Sequence, residues 1–130
     1  MHKKQVVSLV GVKKPVTGFN HVVNAGGFVF LSSQLSTNLK TGEIITGDVK
    51  SQTKRAMENI KYLLSQSRCT MDDIVKVVIY FRNVDDRQQI NEVYKQYFTP
   101  GQEPAKVSVQ ASSPISGIDV EIEVTAITDD

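Results

Sequence analysis

The chain has 130 residues, of which 40% are hydrophobic, a length and composition that fit one domain over residues 1–130. Its 15 Lys and Arg against 14 Asp and Glu leave a net charge of +1, with no long-range field to gather nucleic acid or an anionic membrane. Neither partner is expected, and no stretch approaches the roughly 20 apolar residues that a membrane span requires.

A single cysteine, Cys69, excludes an internal disulfide, and His2 and His21 have no Cys or His neighbour at zinc-site spacing. A cytoplasmic setting without metal or cofactor is the expectation. The uncharged stretch after Gln5 is too short for a signal-peptide core.

In chain order, Gln5 to Val10 reads as a short strand, followed by a Gly-, Pro- and Thr-rich connection from Gly11 to Asn20. Two strands, His21 to Ala25 and Phe28 to Ser32, flank Gly26-Gly27, a pair that accepts positive φ and so signals a hairpin turn. Asn38 to Gly42 reads as a further turn. A helix is predicted from the N-cap Asp48 to about Gln66, with Val49, Ala56, Ile60, Leu63 and Leu64 on one face beside Met57. Lys50, Lys54, Glu58 and Lys61 form its wet face.

Thr70 and Asp73 have the spacing of a capping box, and the run Ile74 to Phe81 is apolar except for Lys76, which suits a central strand covered on both faces. A second helix is predicted from about Asp86, with Ile90, Val93, Tyr94, Tyr97 and Phe98 on one face, ending at Pro100-Gly101.

Two alternating strands follow, Ala105 to Ala111 and Ile118 to Ile127. Joined as an antiparallel hairpin through Ser112 to Gly117, with Ala111 opposite Ile118, they set Lys106 against Glu123 and Ser108 against Glu121. That pairing rests on the alternation alone, and a shift of two residues exchanges which glutamate is nearer Lys106. The order predicts an α+β fold, a mixed sheet of about six strands with both helices on one face. The other face of the central strand then needs a cover, and in so short a chain self-association supplies it.

Several segments in order, among them AGGFVFLSSQL, MDDIVKVVIYFRNVDD, INEVYKQYF and EPAKVSVQASSPISGIDVEIEVTAI, resemble the RidA/YjgF family, also called endoribonuclease L-PSP-like, over residues 5–128. The resemblance implies a chorismate-mutase-like homotrimer with a central barrel of three sheets and ligand clefts between neighbouring subunits. It also implies hydrolysis of 2-imino acids such as 2-iminobutanoate and 2-iminopropanoate to 2-keto acids and ammonia.

Carried over by residue, the glutamate that positions water is Glu121, and the carboxylate-gripping arginine position holds Lys106. Ser33 stands where the family has a glycine facing the ligand, Phe19 at a cleft tyrosine, Asn91 at a family asparagine, and Ser108 two residues past the arginine position. Guanidinium offers a planar fork to both oxygens of a carboxylate, whereas ammonium is a point charge on a flexible stem. Losing one charge-assisted bond of about 1.5 to 3 kcal/mol slows a reaction roughly ten- to a hundredfold. With Ser33 adding a Cβ and a hydroxyl, the expectation is a cleft for a small carboxylate metabolite with attenuated imine hydrolysis.

Four of these residues also have a plainer reading. Lys106 serves as a cross-strand ion pair with Glu123 or Glu121, Glu121 as a solvated strand residue, Phe19 as packing, and Asn91 as a helix-surface amide. His21 reads as structural, Cys69 carries no assigned role, and Lys3-Lys4 and Lys13-Lys14 read as solvated charges. The alternative functions are a noncatalytic metabolite-sensing or interaction module and, against the weak charge and absent tryptophan, an endoribonuclease.

Overall fold

The computed structural model describes residues 3–128, so His2 lies outside the described residues. Its elements are β1 (Gln5–Val6), β2 (Val22–Ala25), β3 (Phe28–Leu31), α1 (Val49–Ser65), β4 (Ile74–Phe81), α2 (Arg87–Tyr94), β5 (Ala105–Gln110) and β6 (Val120–Ile127). The strands form one six-stranded mixed sheet in the order β1-β2-β3-β6-β4-β5. Every neighbouring pair is antiparallel except β4 and β5, which run parallel.

Local chemistry explains the elements. Gly26 and Gly27 both have positive φ, 57° and 82°, which closes the β2–β3 hairpin in two residues. Asp48 caps α1 by accepting from the Ser51 amide at 2.8 Å. Asp73 accepts from the Thr70 amide at 2.8 Å, as the capping-box spacing predicts. The first strand is shorter than expected: after Val7 N–H donates to the Val22 carbonyl at 3.2 Å, the chain passes to the end of α1, where Val10 N–H donates to Oε1 of the C-cap Gln66 and Tyr62 Oη donates to the Val10 carbonyl.

The second helix is also divided. A 3₁₀ turn over Val84–Asp86 leads into α2, and another over Lys95–Tyr97 follows it, so Ile90, Tyr94 and Phe98 are buried while Val93 and Tyr97 are only partly so.

Both helices lie on one face of the sheet. Ala56, Met57, Ile60, Leu63 and Leu64 of α1 are fully buried against Val77, Ile79 and Phe81 of β4 and Val120, Ile122 and Val124 of β6. Each large side chain so buried contributes about 1.5 to 3 kcal/mol. On the opposite face of β4, Lys76 is exposed and Val78 and Tyr80 are half-buried, so this strand is covered on one side only. Phe28, Phe30, Val107 and Val109 are exposed on the same open face.

The predicted hairpin of the last two strands is corrected by the topology. β4, α2 and β5 form a strand-helix-strand unit, whose crossover returns β5 parallel to β4, with Val77 level with Lys106 and Ile79 level with Ser108. The far edge of β4 is taken by β6, so β4 separates the two strands that the alternation had placed together. Lys106 is therefore not opposite Glu123, nor Ser108 opposite Glu121.

Candidate functional site

Strand parity divides the site residues between the two faces. Lys106 is level with the buried Val77 and lies on the helix side, its Nζ 4.9 Å from the Tyr94 ring centroid and 3.4 Å from Asn91 Oδ1, to which it donates. Glu121 is level with Tyr80 and lies on the open side, where Tyr80 Oη donates to neighbouring Glu123 at 3.0 Å. Neither glutamate pairs with Lys106.

Around Glu121, Gln34 and Ile122 exchange both backbone hydrogen bonds, at 2.7 and 2.8 Å, which brings the segment after β3 alongside β6. Ser33 Oγ thereby donates to Glu121 Oε1 at 2.8 Å, and Ser113 Oγ donates to Oε2. The Ser33 hydroxyl thus points at the glutamate and holds one of its oxygens. The loop bearing Ser113 is tied down by the buried Gln52 of α1. Its amide nitrogen donates to the Gly47 and Gly117 carbonyls at 2.9 and 3.0 Å, and its oxygen accepts from the Asp119 amide at 2.8 Å.

Beside this cluster, Gln34 Nε2 donates to the Ser32 carbonyl at 3.2 Å and lies 3.1 Å from His21 Nδ1. Because the carbonyl can only accept, the nitrogen is a donor to both, which makes Nδ1 an acceptor and puts the ring proton on Nε2. Burial holds the His21 pKa below its ordinary value, in keeping with a neutral ring. Phe19 meets that ring edge-on, with centroids 5.5 Å apart. Phe19, His21, Ser33 and Gln34 line a hollow of about 250 Å³, and Ser33, Tyr80, Ser113 and Glu121 line an adjoining one of about 240 Å³.

On the helix side, Lys106, Asn91 and Ser108 line a third hollow of about 330 Å³ together with Arg87 and Gln88. Tyr94, beneath Lys106, has a buried hydroxyl with no hydrogen-bond partner among the described residues. Burial, with the nearby charge of Glu103, pushes its pKa up to about 12, so the ring stays neutral and its face available to a cation.

Of the six residues singled out from the sequence, Ser33 and Glu121 are joined by a hydrogen bond, with Phe19 in the hollow that Ser33 also lines, while Lys106, Asn91 and Ser108 line the separate hollow on the helix side. Sequence reasoning missed Ser113, Gln34 and Arg87. Arg87 was within reach of it, since it precedes Asn91 by four residues and so shares its helix face. Ser113 had no local signal, because a hydrogen bond across a loop leaves no period. Among the described residues no group of three His, Cys, Asp or Glu side chains could hold a metal ion, and no helix is long and apolar enough to cross a membrane.

A six-stranded mixed sheet with two helices defines an α+β protein, and comparison with known proteins places it. The sequence profile of the family described as Endoribonuclease L-PSP matches residues 11–128. The chain is 32% identical, over 95% of each chain, to the 2-iminobutanoate/2-iminopropanoate deaminase of Dermatophagoides farinae. Among solved structures it superimposes on the Rid-family protein YyfA of Yersinia pestis with a TM-score of 0.89, at 30% identity over 97% of this chain and 100% of that one. It superimposes on E. coli TdcF with bound serine with a TM-score of 0.84, at 28% identity over 96% and 99%. The chain belongs to the RidA/YjgF, or endoribonuclease L-PSP, family.

Proposed function

We propose that this chain is a cytoplasmic homotrimer in which clefts between neighbouring subunits bind a small carboxylate metabolite, with slow hydrolysis of 2-imino acids at most. One observation carries the reading: Lys106, Asn91 and Ser108 lie on the helix side of the sheet, and Glu121, Ser33 and Phe19 lie elsewhere, with β4 between β5 and β6. A single chain cannot bring the two groups to one ligand, whereas a neighbouring copy can supply the second group. The exposed Phe28, Phe30, Val107 and Val109 on the open face are the apolar surface that such an assembly would bury. The deaminase name of one relative and the serine bound to another fit a small metabolite.

In this reading Lys106 draws in the carboxylate, Asn91 orients the amine, and Glu121 holds water for attack on the imine carbon. Ammonium in place of a guanidinium fork makes the grip looser. Light scattering of the purified protein is expected to give three times the chain mass, and Val107→Glu is expected to lower it. Acceleration of 2-iminobutanoate decay over the spontaneous rate in water is expected to be small with the natural chain, about tenfold or more larger with Lys106→Arg, and absent with Glu121→Gln. A monomer, or wild-type turnover equal to that of Lys106→Arg, would sink the proposal.

A noncatalytic metabolite-binding module is the second reading. It draws on Glu121, whose two oxygens are each taken by a serine hydroxyl, leaving the carboxylate less free to hold water. Under this reading keto acids raise the melting temperature, and Lys106→Arg produces no hydrolysis.

A further inference from the structure

Arg87 opens α2 and lines the same 330 Å³ hollow as Lys106. Its guanidinium carbon lies 6.0 Å from the Phe81 ring centroid, and Lys106 Nζ lies over the Tyr94 ring, so each cation lies near an aromatic ring bordering the helix side of the sheet. The remaining polar lining consists of the Gln88 and Asn91 amides and the Ser108 hydroxyl, and no lining residue is acidic. Among the described residues neither cation makes an ion pair, and Glu92, next to Asn91 in sequence, is tied to Lys50 at 2.8 Å. The hollow is therefore lined by five hydrogen-bonding side chains, two of them cationic and none acidic, and the nearby carboxylate of Glu103, felt at Tyr94, is not part of the lining.

We infer that this hollow takes a small acid with two anionic groups, a dicarboxylate of the 2-oxo or 2-imino acid type, with Lys106 on one carboxylate and Arg87 on the other. The inference rests on Lys106 being the anion-binding residue of the proposed cleft, and it names the ligand class of that site. Arg87 supplies from the helix the planar fork that position 106 lacks on the strand. A monocarboxylate satisfies one cation and leaves the other facing it, whereas a dianion neutralises both. The volume suits a four- or five-carbon diacid.

The test is calorimetric titration of the full chain with 2-oxoglutarate and with 2-oxobutyrate, at low and at moderate salt. The expected result is 2-oxoglutarate binding about tenfold or more tightly than 2-oxobutyrate, with the margin narrowing as salt rises. Arg87→Gln is expected to collapse that margin, and Lys106→Gln to weaken both acids. Both side chains are exposed, so the folded state should tolerate either change, and thermal melting checks this. Equal wild-type affinities, or a margin that survives Arg87→Gln while Lys106→Gln still weakens both acids, overturn the diacid inference and leave the cleft reading standing. If neither acid binds, or if Lys106→Gln binds both as the natural chain does, the cleft reading fails and the inference with it.

Discussion

Ser33 Oγ donates to Glu121 Oε1 at 2.8 Å, joining residues 88 positions apart, while the other carboxylate oxygen accepts from Ser113. A glutamate held at both oxygens by neutral hydroxyls has a fixed orientation and reduced capacity to accept from water. The Ser33→Gly change on a Lys106→Arg background is therefore expected to hydrolyse 2-iminobutanoate about tenfold faster than Lys106→Arg alone. An unchanged rate in a coupled assay would mean that the serine places no restraint on the reaction.

His21 gives the protein a pH dependence near neutrality. Its folded pKa lies below the ordinary 6.5 because of burial, so the folded chain binds fewer protons at this ring than the unfolded chain does. The stabilisation is fully present above about pH 6.5 and is lost as pH falls from there through the depressed folded value. Melting temperature should fall between pH 7.5 and pH 5. The His21→Asn variant, whose carbonyl oxygen can still accept from Gln34, should show a smaller fall; an identical pH profile would exclude this ring as the source.

Gln52 uses its side-chain amide to join the start of α1 to the loop that carries Ser113. Replacement by Leu leaves the Asp119 amide and the Gly47 and Gly117 carbonyls without these partners, at a cost of about 1 to 3 kcal/mol in urea unfolding. Loss below about 0.5 kcal/mol would mean that the loop finds other partners.

Arg68 is the non-glycine residue with positive φ among the described residues, at 59°, where the chain leaves α1. A side chain in that conformation costs about 1 kcal/mol. Arg68→Gly should therefore raise the unfolding midpoint slightly, offset in part by glycine's greater freedom when unfolded. A lowered midpoint would indicate that the arginine side chain makes a stabilising contact.

Much of the fold was legible in the sequence because its signals are local. Asp48, the stripe from Val49 to Leu64, the Thr70/Asp73 pair and Gly26-Gly27 each act within a few residues, so their geometry follows from backbone hydrogen bonding and the period of one helix or turn. The alternation of β6 also gave its buried set, Ile118 excepted as a residue before the strand, and the polar positions Glu121 and Glu123. Arg87 falls between the two cases: its helical spacing from Asn91 was visible, but its significance depended on where β5 lay.

The sequence by itself determined the first helix with its core stripe and cap, the place of the second, and the family resemblance, since each depends on residues close together or on their order along the chain. Only the tertiary structure decided that β6 runs along one edge of β4 and β5 along the other, and with that, that Lys106 and Glu121 occupy opposite faces. The reason is that alternation specifies which residues of a strand share a face, but not which strand lies beside it. That choice is made by packing and hydrogen bonding across the whole sheet, so neither the residues flanking Lys106 nor those flanking Glu121 could disclose it.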